Sequence, residues 1–191
     1  MRRFLVLAAV AALVACVSDS TSTIDPCVSY CDAVFKNCTD DLAAYSERPQ
    51  CNEMCKFIPS GADDDEDTIE CRNAHARKAA EPGADKAREC KAASAYGGGV
   101  CGSNVVRVFC KRVESICIKE PVNGVQPPYA SEADCEESAS KITFDANGPE
   151  GPKQPFTGAD TINCRMNHLI LALDGRVPHC SHTALTSDVC K

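Results

Sequence analysis

Fifteen cysteines in 191 residues constrain this chain more than any other feature of its sequence. That density predicts a disulfide scaffold built for an oxidising compartment. A unit of about 80 residues buries only a modest apolar core, so cross-links that restrict the unfolded chain supply much of its stability. The absence of tryptophan and the 5% aromatic content point the same way. No two cysteines are separated by two residues. This excludes the usual thiol-oxidoreductase motif, the covalent haem attachment motif and the common zinc-finger pair. The cysteines read as staples, and their number is odd.

A nine-residue stretch recurs. Asp67-Thr68-Ile69-Glu70-Cys71-Arg72-Asn73-Ala74-His75 returns as Asp160-Thr161-Ile162-Asn163-Cys164-Arg165-Met166-Asn167-His168, with six positions unchanged. A cysteine, an arginine and a histidine keep their spacing. The expected fold is therefore mainly α: two tandem disulfide-stapled helical units of three short helices each, 26–102 and 103–191, with long irregular loops.

In the first unit Asp25 can cap a helix with Pro26 in its first turn. Cys27, Cys31, Val34 and Cys38 fall at intervals of four, three and four, on one helical face. Ser46 can cap a second helix carrying Cys51 and Cys55. Asp67 or Thr68 can cap a third, expected to run to about Ala80, with Glu70 placed after Asp67 as in a capping box. In the second unit Ser103 or Asn104 precedes the same stripe as Val106, Cys110, Val113 and Cys117. Ser131 can cap the next helix, and Thr161 to about Leu173 forms the last, stopped by Gly175.

Two helices that each carry a cysteine pair one turn apart resemble the disulfide-stapled helical hairpin. The resemblance implies Cys27–Cys55 and Cys31–Cys51. In the second unit the counterparts of Cys27 and Cys55 are Val106 and Ala139, so both members of one bridge are replaced together, which leaves Cys110 with Cys135. The remaining cysteines allow three pairings in each unit. The expected choice is Cys38–Cys71 and Cys90–Cys101, with Cys117–Cys164 and Cys180–Cys190 in parallel.

Residues 1–15 read as a targeting segment, with Arg2 and Arg3 followed by an apolar run of eleven, too short for the roughly 20 residues that span a bilayer. The end, Leu13-Val14-Ala15-Cys16, resembles the lipobox of bacterial lipoproteins, which implies cleavage before a lipidated Cys16. Lipidation of Cys16 leaves fourteen cysteines, an even number. The adjacent arginines lack the rest of a twin-arginine signal. Val17 is not the aspartate of inner-membrane retention, and the resemblance points to the outer membrane, facing the periplasm or the cell surface. Residues 16–25 read as a lipidated polar tether.

Loss of Arg2 and Arg3 takes the net charge from -7 to -9. Such a surface argues against a nucleic-acid partner. The acidic run at 63–67 lacks the alternating ligands and turn glycine of a calcium loop. Gly97-Gly98-Gly99 lacks the lysine of a phosphate loop and reads as a turn. There is no Gly-x-Ser-x-Gly elbow and no His-Glu-x-x-His motif. No cofactor, no metal and no catalytic residue is expected, and an enzyme is not the favoured reading. His75 and His168, one turn after the shared cysteine, read as packed beside a disulfide. The alternative is a metal-binding or enzymatic periplasmic module in which His179 and His182, flanking Cys180, join His168.

The run Cys71-Arg72, His75-Ala76, Ala79-Ala80, Pro82, Cys90 and Gly97-Gly98-Gly99-Val100-Cys101-Gly102 resembles a Cys-rich repeat of predicted lipoproteins of myxobacterial type. The second unit departs from it, ending Ser187-Asp188-Val189-Cys190 without the glycines. The resemblance implies export and disulfides and carries no established activity. The expectation is an exported, lipid-anchored envelope protein, a structural or binding module. Its partners would be the membrane, through Cys16, and an unidentified protein or envelope ligand.

Overall fold

The computed structural model describes residues 25–61, 66–119, 126–146 and 159–191. The leader 1–15, Cys16 and the tether to Ile24 lie outside them, as do 62–65 of the acidic loop and 120–125 and 147–158 of the two Pro-rich loops. The chain is mainly helical, with eight α-helices and no strand among the described residues. None of these helices is long and apolar enough to cross a membrane.

Helix α1 spans Pro26–Asn37, α2 Arg48–Cys55, α3 Ile69–Lys78 and α4 Lys86–Ala92. Helix α5 spans Val105–Val113 and runs on into a π-helical turn, Glu114–Ile118; α6 spans Glu132–Ala139, α7 Ile162–Leu171 and α8 Arg176–His182. Among the described residues each half thus holds four helices rather than three. The extra ones, α4 and α8, are seven residues each, too short for an apolar period to register, and Pro178 inside α8 reads as a breaker.

Side-chain caps start six of the eight helices. Asp25 accepts from the Cys27 N–H at 2.8 Å, and Pro26 needs no donor there. Thr68 and Thr161 accept from the N–H groups of Cys71 and Cys164, both at 3.2 Å. Asp85, Asn104 and Ser131 cap α4, α5 and α6 in the same way. Two expected caps are corrected. Glu70 closes no capping box, because Thr68 is the cap, and its carboxylate instead accepts from the Gly61 N–H at 2.7 Å. Ser46 lies one residue before the cap position of α2, and its N–H and hydroxyl both bond the Gln50 side-chain oxygen.

Seven disulfides staple these helices. Cys27–Cys55 and Cys31–Cys51 join α1 to α2. Cys110–Cys135 joins α5 to α6, where Val106 and Ala139 contribute to the apolar core instead of a second bridge. The remaining pairs differ from expectation. Cys38 bonds Cys90, not Cys71, and Cys71 bonds Cys101, so Cys90–Cys101 does not form. Likewise Cys117 bonds Cys180 and Cys164 bonds Cys190, in place of Cys117–Cys164 and Cys180–Cys190. The reason is the crossing of α1 and α3. Asn37 donates to the Ala76 carbonyl at 2.9 Å, which sets the end of α1 beside the later part of α3. Cys71 is five residues earlier, about 7.5 Å of helical rise away, beyond what a disulfide spans. Cys90 on α4 fills that place.

The buried apolar side chains of both halves form one continuous cluster, with Tyr30, Val34 and Met54 from one half and Phe109, Ile116, Ile162, Met166 and Leu169 from the other. Polar contacts also cross between the halves. Gln50 donates to the Asp174 carboxylate at 3.3 Å, and the Tyr96 hydroxyl donates to the Met166 carbonyl.

Candidate functional site

The recurring stretch opens α3 and α7, and chemistry-bearing side chains gather along these two helices and the segments packed on them. Thr68 and Thr161 fix the first turn. Cys71 and Cys164 then lock that turn to the end of their own half through Cys101 and Cys190.

The arginines one residue later are fully buried. Arg72 donates to the carbonyls of Thr68, Ser94 and Ala95 at 3.0, 2.9 and 3.1 Å, and to Asp67 at 2.8 Å. Arg165 donates to the carbonyls of Thr161, Ala184 and Leu185 at 3.2, 3.0 and 3.0 Å, and pairs with Asp160 at 2.7 Å. Each guanidinium therefore clamps the segment after the fourth helix onto the start of the third. The fork of five fixed donors suits several carbonyls at once. Sequence reasoning assigns these arginines no role; the signal is their recurrence at a fixed distance from the cysteine.

The glycine turn serves the same clamp. Gly97 and Gly98 take φ of 67° and 55°. A Cβ on Gly97 would lie 2.8 Å from the Cys101 Cβ and 3.3 Å from Arg72 Nη2, and one on Gly98 would lie 3.0 Å from the Lys91 carbonyl oxygen. Only glycine permits both the conformation and the approach. The second half uses another device: the Ser187 hydroxyl accepts from the N–H groups of Val189 and Cys190 at 3.3 and 3.0 Å.

One turn past each cysteine stands a histidine, and here the halves diverge. His75 Nδ1 lies 2.5 Å from Glu89 Oε2, while Lys78 Nζ lies 3.2 Å from Glu89 Oε1. Burial opposes ionisation of Glu89, but the hydrogen bonds and charges of His75 and Lys78 outweigh it and hold the carboxyl below its usual range. Both carboxylate oxygens are thus engaged.

In the second half the residues standing at the positions of His75, Lys78, Glu89 and Ala92 are His168, Leu171, His179 and His182. The structure brings the three histidines together. His168 Nδ1 lies 3.3 Å from His179 Nδ1 and 3.2 Å from His182 Nδ1. His168 is 3% exposed, and the other two rings are half-buried. His182 Nε2 lies 3.6 Å from Asp188. Burial, then the neighbouring His182, lower the pKa of His179 against the pull of Asp174, which favours its neutral ring at neutral pH. Cys71–Cys101 and Cys164–Cys190 also approach His75 and His168 closely. Their sulfurs are committed to disulfides and offer no thiolate.

The buried tyrosines are not poised as bases. Burial pushes Tyr30 up to about 12, and its hydroxyl is shared between Tyr45 and the Ala93 carbonyl, both at 2.8 Å. No protein family, curated protein or solved structure matches this chain.

Proposed function

We propose that the protein is an exported bacterial lipoprotein of the envelope, in which a lipid on Cys16 holds a disulfide-stapled helical body at the outer membrane as a binding or structural module. The observation that carries this reading is the cysteine inventory. All fourteen cysteines from Cys27 onward are paired in seven disulfides, and the one left over is Cys16, at the end of the lipobox-like sequence. Seven bridges require oxidation, which export provides and a reducing cytosol does not. The partners of such a protein are the membrane, through Cys16, and an envelope protein or ligand held by the helical body.

The same reading takes the halves as copies of one unit, in line with the resemblance to Cys-rich lipoprotein repeats. The matched order of bridges (Cys38–Cys90 with Cys117–Cys180, Cys71–Cys101 with Cys164–Cys190) and the matched arginine clamps support it.

The test is the full-length protein and its Cys16→Ser variant in a Gram-negative host fed labelled palmitate. The wild type should take up label and fractionate with membranes, and the variant should lose both. A variant that stays in the membrane fraction, or a wild type without label, refutes the anchor.

A further inference from the structure

We propose that His168, His179 and His182 form a zinc(II) site of three imidazoles, with a fourth coordination position turned toward solvent. The site is independent of the lipid anchor.

The geometry carries it. Zinc binds imidazole nitrogen at about 2.0–2.1 Å, so two nitrogens on neighbouring corners of a tetrahedron stand about 3.3–3.4 Å apart. The two Nδ1–Nδ1 separations from His168 are 3.3 and 3.2 Å. One ligand atom from each histidine lies within 4.8 Å of the other two. The His179 and His182 ligand atoms lie within 4.8 Å of each other, and both rings are only half-buried.

The supporting structure suits a metal. His168 is fixed on α7 one turn beyond the Cys164–Cys190 bridge, and His179 and His182 flank Cys180, which is bonded to Cys117. The two ligand-bearing helices are thus cross-linked into the body before any ion arrives. Ligation of His182 through Nδ1 leaves its Nε2–H facing Asp188, the carboxylate partner that orients metal-bound imidazoles. Three imidazole ligands suit zinc and its neighbours among the divalent metals. A site with three protein ligands keeps a position for water or an incoming group.

The first half serves as the internal control. There the matching positions hold His75, Glu89 and Ala92, and Lys78 supplies a cation that completes an ion-paired set. In the second half Leu171 stands where Lys78 does, and histidine replaces both Glu89 and Ala92. Two substitutions on α8 convert a closed ion pair into three convergent nitrogen donors.

The experiment uses the full-length protein, exported, purified in detergent with its disulfides formed, stripped with chelator and titrated with zinc chloride by calorimetry. One equivalent should bind, and the melting temperature should rise with zinc. His168→Asn, His179→Asn and the triple Asn variant should each lose affinity by at least about 10-fold, the scale on which even outer-shell partners act. His75→Asn should bind as the wild type does. A free-thiol assay confirms that each variant keeps its seven bridges and so remains folded. Cobalt(II) substitution should give the intense visible absorption of a four-coordinate ion, absent in the triple variant. Equal zinc uptake by wild type and the bridged triple variant, or no uptake by the wild type, would overturn the site and leave a hydrogen-bonded histidine cluster.

Discussion

The guanidinium of Arg112, on the first helix of the second half, lies 2.6 Å from the carboxylate of Asp67, at the threshold of α3 in the first half. The same oxygen of Asp67 also accepts from Arg72. One carboxylate thus holds two arginines that are 1% and 0% exposed. Burial pulls the Arg112 pKa down to about 10; the charge of Asp67 opposes that fall and the charge of Arg72 adds to it. Arg112 therefore remains charged at neutral pH, and its charge is matched from across the boundary between the halves. The other Asp67 oxygen and Arg112 Nε have no hydrogen-bond partner among the described residues.

Removing Asp67 strands two buried cations, and Asp67→Ala should cost about 3–5 kcal/mol, the range for breaking a buried pair. Arg112→Met should cost much less, because Asp67 keeps Arg72 and the apolar stem is replaced. Urea unfolding of the two oxidised variants compares them; equal losses would mean that Asp67 does not serve both arginines.

The clamps should not tolerate lysine. Arg72→Lys cannot satisfy Thr68, Ser94 and Ala95 together and leaves buried carbonyls without donors, so a loss of about 2–4 kcal/mol is expected. Arg165→Lys should cost less, since Asp160 is 58% exposed and Asp67 only 12%. Thermal melts of both variants give the order.

Acid should weaken the His75–Glu89–Lys78 set. The folded Glu89 carboxyl titrates below its unfolded value, so its contribution is fully present above the ordinary glutamate range. It is lost as the pH falls through the depressed folded value. Glu89→Gln should lower stability above the ordinary glutamate range, and its gap to the wild type should close as the pH falls through the depressed folded value, which flattens the acid limb of the profile. A profile of the same acid slope in both proteins would contradict the assignment.

Peptide mapping without reduction should recover Cys38 with Cys90 and Cys71 with Cys101. Among paired-serine variants, loss of Cys117–Cys180 should destabilise more than loss of Cys110–Cys135, because the first closes a separation of 63 residues and the second one of 25. Loop entropy puts the difference at about 0.8 kcal/mol.

The helical class, the caps at Asp25, Thr68, Asn104 and Ser131, and the α1–α2 and α5–α6 bridges were legible in the chain, because each rests on neighbours within a turn or on one short hairpin. The pairings of Cys38, Cys71, Cys117 and Cys164 were not legible, since they depend on how α1 crosses α3 and where a seven-residue α4 lands. The three histidines could be named from sequence, but nothing in a linear pattern reports whether Nδ1 atoms fourteen residues apart converge.

Sequence alone determined the helical, disulfide-stapled character of the protein, for cysteine density and local periodicity act before any distant contact forms. It also determined that Cys71, Arg72 and His75 would be echoed by Cys164, Arg165 and His168. Only the tertiary structure decided what those echoes do. Burial turned the arginines into clamps, and the replacement of Lys78, Glu89 and Ala92 by Leu171, His179 and His182 left one histidine in an ion pair and set the other among two more imidazoles.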